Sequence, residues 1–511
     1  MSCDARRMSF EMKLDVAAEA RPRARWPVVF WGLLLVAAAL RIAAFDAFSA
    51  HHPDEKIQYL EQAHRLVFGY GIVPWEFRYF IRSWLIPLAL AMPMRVGEWL
   101  DPGGMLYLVL PRALVAIGNS VSVVAAWKIG ERVSRQHAIV TMAVAATWVE
   151  CVLFQVQTLS ESMAVACFLV AVVLIRDGAA TRRTVAAGCL MALAGLLRFQ
   201  LGPAIAAYAL LVAGKDWRLW RGLVLGGVPV LIGGAAIDLA MGLYPYQWIL
   251  TNYQMNIGQD RMREIGGVSV TAYITDIVKY WGIAAPFLFV LAFASGKAMR
   301  PLLLAALVNI AVHQLIGHKE YRYLWFSLQI ILILAAIGSV NVARVAIGGL
   351  HPRWRPASPA APLVTALIVL AWGTWSAAIA TSDLYRYQWR VEGGASRLAA
   401  LAAKDPRVCG IGVPTYRYTE FGYAFVHRQV PIVLLRGREL PSLSDPGAVG
   451  PTINAIITER KLTPPRGYGA PRACNDHGPD QLCLYLRPGG CTATPVSRER
   501  EFQTYLNTIN L

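Results

Sequence analysis

PVVFWGLLLVAAALRIAAF (Pro27–Phe45) and, five residues later, HHPDEKIQYLEQAHRLVFGYGIVPWEFRYFIRS (His51–Ser83) decide how this chain of 511 residues is read. The first stretch is an apolar run close to the ~20 residues that a helix needs to cross a bilayer. Just past its end, His52, Pro53, Asp54 and Glu55 form an acidic cluster, and His, Glu, Trp and Arg crowd the residues that follow. Ionisable groups beside a membrane span are costly and accumulate where a site needs them. A carboxylate at the mouth of a helical bundle suits proton abstraction from a hydroxyl at a lipid–water boundary.

Outward from this stretch the composition agrees. The chain is 56% hydrophobic, 16% charged and has a mean hydropathy of +0.43, which excludes a disordered chain or an ordinary soluble globule. Its net charge of +17 is not a nucleic-acid signal, because the basic residues sit in short clusters between apolar runs. That is the pattern of cytoplasmic loops under the positive-inside rule, so the expected surroundings are membrane lipids and no nucleic acid. Arg6, Arg7, Lys13, Arg21, Arg23 and Arg25 precede Pro27. This segment is too long and too charged for a simple signal peptide, and no small-residue cleavage site follows the first span cleanly. Residues 1–26 therefore read as a basic cytoplasmic tail.

With that end inside, each apolar run flips the side. The runs are Pro27–Phe45, Met105–Trp127, Ala138–Phe154, Ser162–Ile175, Thr184–Leu197, Leu201–Gly214, Leu223–Met241, Ile277–Ser295, Leu302–Ile316, Leu324–Val340 and Ala361–Ile379. Trp84–Met94, short and broken by Pro87 and Pro93, reads as interfacial or re-entrant. The alternation puts the basic clusters after Trp127, Ile175, Gly214, Ser295 and Val340 on one side with the N-terminus. The expectation is a mainly α polytopic protein, with a bundle of about eleven transmembrane helices over residues 27–381 and a first external loop over 46–83.

From residue 382 to 511 the composition changes. Arg407–Val413, Pro431–Leu435, Asn454–Thr458 and Gln481–Leu486 read as strands and Ala395–Ala403 as a helix, giving a small extramembrane α/β domain. Cys409, Cys474, Cys483 and Cys491 lie here, and none makes a close metal-type pair. On the outer side of the membrane one or two disulfides are expected, in a pairing that the sequence leaves open. Cys151, Cys167 and Cys189, in apolar runs, read as small hydrophobes.

The same alternation gathers the unusual polar residues on the outer side: His52, Asp54, Glu55, Glu76, Arg82, Ser160, Glu161, Arg198, His318, Lys319, Glu320 and Arg322. Asp54 and Glu55 have a bland reading as caps of the helix after Pro53. The adjacent histidines and the Trp75-Glu76-Phe77 patch favour catalysis. Glu61 and His64, three apart, suit either a solvated helix face or a cleft wall. His318, Lys319, Glu320 and Arg322 follow an apolar span directly. Snorkelling interfacial charge is their bland reading. An anion site fits the mixed signs better, with Lys319 and Arg322 holding a phosphate that Glu320 orients them toward. Arg198, between Leu197 and Phe199, is a second case of the same kind. The chain contains no Gly-rich phosphate loop, no His-Glu-x-x-His pair, no Gly-x-Ser-x-Gly elbow and no Asp-x-Asp pair, so an ATP-driven pump or a zinc protease has no support.

At these residues the chain resembles the family 22 glycosyltransferases of the GT-C superfamily, which include the GPI mannosyltransferases and the lumenal α-mannosyltransferases of N-glycan assembly. The resemblance lies in HPDEKIQYLEQAHRLVFGYGIVPWEFRYFIRSWLIP (His52–Pro87), PRALVAIGNS (Pro111–Ser120), QTLSES (Gln157–Ser162), LRFQ (Leu197–Gln200) and HKEYRYLW (His318–Trp325). It spans roughly Pro27–Val340. It implies a GT-C bundle that transfers a sugar, typically mannose, from a polyprenyl phosphate to a hydroxyl of a glycan or glycolipid, with inversion and with no cofactor or metal. The family's acidic base then falls on Asp54, with Glu55 beside it. Where family members commonly read Thr-Trp-Glu this chain has Pro74-Trp75-Glu76, and where they read Arg-Phe after the His-Lys-Glu it has Tyr321-Arg322-Tyr323. The Arg- and Ala-rich style resembles a bacterial member, which implies the inner membrane with a site facing the periplasm, or the endoplasmic reticulum for a eukaryotic one. The rival readings are a lipid-linked saccharide flippase, which calls for internal repeats and broken helices at matched positions, and a non-catalytic assembly subunit.

Overall fold

A computed structural model of the chain describes residues 27–175, 181–258, 269–282, 284–350, 361–389, 393–435, 450–460, 466–475, 481–491 and 503. The basic tail over 1–26, together with Arg176, Arg353 and Arg355, lies outside the described residues.

Hydrocarbon offers the backbone no hydrogen-bond partners, so apolar runs pair their own N–H and C=O groups as helices. All eleven apolar runs fall in helices: α1 (Val28–Ala44), α4 (Leu106–Glu131), α5 with α6 (Arg135–Thr147, Val149–Gln155), α7 (Ser160–Leu174), α8 (Thr181–Leu197), α9 (Gly202–Ala213), α10 (Trp217–Ala240), α11 with α12 (Ala272–Trp281, Ala285–Phe293), α13 (Arg300–Gln314), α14 (Trp325–Leu350) and α15 (Ala361–Ala380). Between α1 and α4, Glu55–Leu60 winds as a π-helix that continues into α2 (Glu61–Phe68), and Leu85–Leu100 forms α3. The chain is a multi-pass membrane protein. On length and composition four helical stretches among the described residues are sufficient to cross a bilayer, or up to six if each of two bent pairs is one span. The other runs are helices of 12 to 17 residues, shorter than a full crossing. The Trp84–Met94 run, expected at the interface, lies in the continuous helix α3, which packs against α2 and α4.

One bend has a visible cause. α5 and α6 meet at 60°, with Trp148 extended between them. The break strips partners from the last carbonyls of α5. Arg41, buried in α1, donates to the carbonyls of Ala145 and Ala146, both at 2.8 Å, and to Gln155 Oε1. Ser376 of α15 closes the rest, donating to the Thr147 carbonyl and accepting the Val149 N–H. Beside the bend the buried Glu150 carboxylate accepts from Trp148, Trp281, Tyr321 and Tyr385, joining the bundle to the segment just before Arg322.

The two ends of the bundle differ. At one end Arg132 donates to the carbonyls of Val172 and Ile175, Arg344 to Ser134 and Gln136, and Gln136 to Ala361. The ends of α4, α5, α7, α14 and α15 therefore meet there with their arginines. Asp54, Glu161, Arg198 and Arg322 meet at the other end.

Beyond α15, helix α16 (Gly393–Lys404) covers a five-stranded sheet of β1 (Ile411–Pro414), β2 (Ile432–Leu435), β3 (Ala455–Glu459), β4 (Ala473–Cys474) and β5 (Leu482–Leu486), in the order β2-β1-β3-β5-β4. β1 is parallel to β2 and β3, and β5 is antiparallel to β3 and β4. Each expected strand and the expected helix has a counterpart here. Cys409 bonds Cys491 and Cys474 bonds Cys483, which settles the open pairing, while Cys151, Cys167 and Cys189 stay free. The sheet's core is shared: Ile57 and Ile72 of the first loop pack with Leu398, Ile411, Val413 and Phe421.

This end-for-end arrangement makes a direct prediction. Single cysteines at exposed Pro102 and Lys404 will label from one side of sealed vesicles and one at exposed Lys215 from the other. Labelling of Pro102→Cys and Lys215→Cys from the same side would contradict it.

Candidate active site

The first loop is held from below before it presents anything. Glu55, fully buried, accepts the backbone N–H groups of His51 (2.8 Å), His52 (3.2 Å) and Thr158 (2.6 Å). Arg112 lies 3.8 Å from the same carboxylate and donates to the Ala47 carbonyl and Gln157. Asn119 holds the Gln155 and Gln157 carbonyls. Glu55 was expected to share catalysis with Asp54. The structure turns it inward, because successive helical side chains point in different directions and the orphan N–H groups of two loops share one acceptor.

The next turn is held from above. Buried Lys56 donates to Ser396 of α16 at 2.9 Å, and Glu61 accepts the N–H groups of Ile72 (2.9 Å) and of Ala424 in the C-terminal region (2.8 Å). Glu61 and His64 are both buried, so their face of α2 is neither solvated nor a cleft wall. His64 bonds the Tyr70 carbonyl and packs among Phe68, Tyr70 and His427.

Between these anchors, residues from five separate parts of the chain meet around Asp54. Arg322 donates to Asp54 Oδ2 at 2.8 Å, with Arg82 at 3.6 Å from the same oxygen. Gln58 donates to Asp54 Oδ1 at 2.8 Å and to Glu76 Oε1 at 2.7 Å. His52 lies 3.3 Å from Asp54 and 3.2 Å from Glu320. Glu320 also receives Arg322, His318 at 2.7 Å and the Tyr323 hydroxyl at 2.9 Å. Glu161 sits between Arg198 (3.1 Å) and Arg322 (3.4 Å) and accepts from Ser160. Tyr323 offers its ring face to Arg198 and Arg322. One expected member is not brought in: Lys319 donates to the Ile316 carbonyl at 2.9 Å, just past the C-terminal end of α13, where a cation is favoured by the helix dipole.

The environment sorts the carboxyls. Burial alone would raise Asp54, but Arg322, His52 and Arg82 outweigh it and hold Asp54 well below the usual carboxylate range. Glu320 is depressed likewise, against its burial, by Arg322 and His318. Glu76 goes the other way. Burial and the neighbouring Asp54 charge push it up to about 7, against the pull of Arg82.

Two guanidiniums keep unused capacity. Arg82 and the deeply buried Arg198 each have an Nε–H without a partner, and both line one cavity with Ser160. Its other walls mix apolar side chains, including Ile81, Leu197 and Trp248, with Tyr59, Ser83 and Gln200. An unpaired buried N–H is costly, so this cavity suits a hydrogen-bond acceptor such as an anion's oxygen. Among the described residues no three His, Cys, Asp or Glu side chains converge to hold a metal ion.

Sequence reading missed Gln58, Lys56, Arg41 and Arg112. A charge inside an apolar run was the available signal for the two arginines. Nothing local marks Gln58, whose importance comes from what the fold places at its amide.

The profile of the Alg9-like mannosyltransferase family matches residues 31–390. The chain is 24% identical over 326 residues to GPI alpha-1,2-mannosyltransferase 3 of Bos taurus, covering 61% of this chain and 59% of that one. It is 36% identical over 104 residues to GPI mannosyltransferase 3 of Yarrowia lipolytica, 20% of each chain. The longer of these matches thus spans little more than half of the relative's length. In fold the chain is similar to ArnT from Cupriavidus metallidurans, crystallised with undecaprenyl phosphate, with a TM-score of 0.54 and 13% identity over 90% of this chain and 98% of that one.

Two consequences of the anchors are measurable. Removing one member of a buried ion pair costs about 3–5 kcal/mol, so Arg112→Met will sharply lower the unfolding midpoint in detergent, and adding Glu55→Gln will recover part of the loss. An unchanged midpoint in Arg112→Met would mean that the pair anchors nothing. Burial also pushes Glu61 up to about 7. Its folded value exceeds its unfolded one, so its contribution is complete in acid and is lost as pH rises from about 4.5 to above 7. Protection factors at Ile72 and Ala424, corrected for the intrinsic pH dependence of exchange, will fall over that window in the parent. In Glu61→Gln the fall will be absent, and its persistence there would assign the effect to another group.

Proposed function

The chain belongs to the Alg9-like mannosyltransferase family, and from that premise we propose that it is an inverting membrane glycosyltransferase. It takes a sugar, mannose first among the candidates, from a polyprenyl phosphate and transfers it to a hydroxyl of a glycan or glycolipid. The carrying observation is the juxtaposition at the outer end of the bundle. A carboxylate held in charged form, Asp54, lies beside a partly apolar cavity lined by Arg82 and Arg198, each with an Nε–H that has no partner among the described residues.

In this reading the donor phosphate lies against Arg82 and Arg198 while its chain runs along the apolar wall toward lipid. Two guanidiniums at the phosphate stabilise the charge that develops on the leaving oxygen, in a site where burial strengthens the effect. Asp54 receives the proton of the attacking hydroxyl. Its low proton affinity belongs to the state in which Arg322 and Arg82 are both on it. A phosphate that draws Arg82 away raises that affinity when the donor is in place. Arg322 remains the fixed partner of Asp54, Glu161 and Glu320, and Lys319 has no part in the phosphate site. The two disulfides suit an oxidising compartment, which supports a site facing the periplasm or, in a eukaryote, the lumen. The first loop through residue 83, the transmembrane bundle to 381 and the domain from 382 onward act together in this proposal.

The test is turnover by the purified full chain with a panel of sugars on undecaprenyl phosphate. Mannose is expected to be transferred. Asp54→Asn should cost ~10²–10⁴-fold in rate and still bind donor. Arg198→Ala and Arg82→Ala should raise the donor KM, and Lys319→Ala should leave it unchanged. Near-parental turnover in Asp54→Asn would remove Asp54 from the chemistry. Lack of transfer from every donor would remove the reading.

A further inference from the structure

The polar cluster has two faces of opposite hydrogen-bonding character. Toward the cavity stand Arg82 and Arg198, which offer only donors. On the other side of Asp54 stand Gln58 and Glu76. The Gln58 amide nitrogen spends both hydrogens, one on Asp54 and one on Glu76. Its Oε1, on a residue only 2% exposed, has no hydrogen-bond partner among the described residues. The second oxygen of Glu76 likewise has no side-chain partner among the described residues, and Glu76 itself is partly open. What this face lacks is therefore hydrogen-bond donors. An anion cannot supply them and a polyol can.

The spacing narrows the polyol. Two carboxylates bonded to one nitrogen stand within hydrogen-bond reach of two neighbouring hydroxyls on one sugar ring. We propose that Gln58 and Glu76 form the acceptor subsite beside Asp54, and that it takes an adjacent pair of hydroxyls of a sugar. One hydroxyl lies at Asp54 and attacks, and its neighbour is held by Glu76. The attacking oxygen bonds to the anomeric carbon of the donor, the bond from that carbon to the phosphate oxygen breaks with its electron pair going to phosphate, and the proton goes to Asp54. Glu76 takes no proton from the nucleophile. It fixes which hydroxyl reaches Asp54, and so sets the position of the new linkage. Gln58 keeps the two carboxyls at their separation. The push of Glu76 up to about 7 by burial and by Asp54 fits this part, since a carboxyl that is neutral or charged near neutrality bonds a hydroxyl in either form. This inference rests on the glycosyltransferase reading and adds the chemistry of the acceptor.

The experiment uses the full-length protein, undecaprenyl-phosphate mannose as donor, and as acceptors n-octyl α-D-mannopyranoside and its four monodeoxy derivatives. One derivative will be inert because it lacks the nucleophile. A derivative deoxygenated next to that position will show an acceptor KM raised roughly 10- to 100-fold, the loss of one hydrogen bond to a charged group. Glu76→Ala will raise the acceptor KM for the intact glycoside by a similar factor with the donor KM unchanged, Glu76→Gln will recover part, and the adjacent deoxy compound will carry no further penalty in Glu76→Ala. Equal penalties for that compound in parent and variant would overturn the proposal, as would a change confined to the donor KM. Even if both variants fail to fold, a parent that pays no penalty for any deoxy compound adjacent to the nucleophile overturns the proposal. Slow hydrolysis of the donor by water is the control: hydrolysis without transfer to the glycoside sinks this subsite alone, and the absence of both sinks the glycosyltransferase reading.

Discussion

Charge cannot stand alone in an apolar bundle, and the end of this one that holds Asp54 is organised by that constraint. Asp54, Glu161 and Glu320 face Arg82, Arg198 and Arg322 in a single chain of contacts. Each guanidinium answers a carboxylate from a distant part of the sequence. Moving charges from water into such a site costs several kcal/mol per ion, and only good geometry offsets it. The first loop, the start of α7, the end of α8 and the start of α14 are therefore fixed relative to one another by the need to keep these groups paired. The Nε–H groups of Arg82 and Arg198, which have no partner among the described residues, are among the places where the pairing is unfinished.

The second constraint is that the acidic loop is not free-standing. Glu55 fastens it to the bundle from below through Thr158 and Arg112, and Lys56 and Glu61 fasten it to the C-terminal region through Ser396 and Ala424. Consecutive side chains thus point down, up and into the site, a distribution that the π-helical turn over Glu55–Leu60 makes available and that often marks functional positions in helices. The C-terminal region is in this sense a ceiling of the site rather than an appendage, since Ile57 and Ile72 of the loop lie in its core.

Much of this was legible from residue types. The apolar runs became helices because a bilayer leaves the backbone no alternative, and the alternation of basic clusters gave which ends lie together. The tail's strands followed from short β-branched runs such as Ile432–Leu435. The grouping of Asp54, Glu76, Arg82, Glu161, Arg198, Glu320 and Arg322 was expected from their shared side and is what the fold brings together. What was not legible depends on side-chain direction. Asp54 and Glu55 are neighbours of the same chemistry, yet one faces the site and the other is spent on three backbone N–H groups. Lys319 and Arg322 are three apart, but an available helix C-terminus captures the lysine. Sequence spacing cannot separate such cases, because the deciding partners are carbonyls and amides rather than side chains. Trp84–Met94, short and interrupted by two prolines, read as interfacial or re-entrant. Pro87 falls in the first turn of α3, where the missing N–H costs nothing, so only Pro93 interrupts it.

The central claim is that the cavity between Arg82 and Arg198 is the seat of a lipid phosphate, and the most direct measurement is an electron cryo-microscopy map of the full chain with undecaprenyl phosphate. The account predicts phosphate density bonded to the Nε–H groups of Arg82 and Arg198, with the polyprenyl chain leaving past Leu197 and Trp248 toward lipid. Density for the phosphate elsewhere, with both arginines still turned only to Asp54 and Glu161, would contradict it.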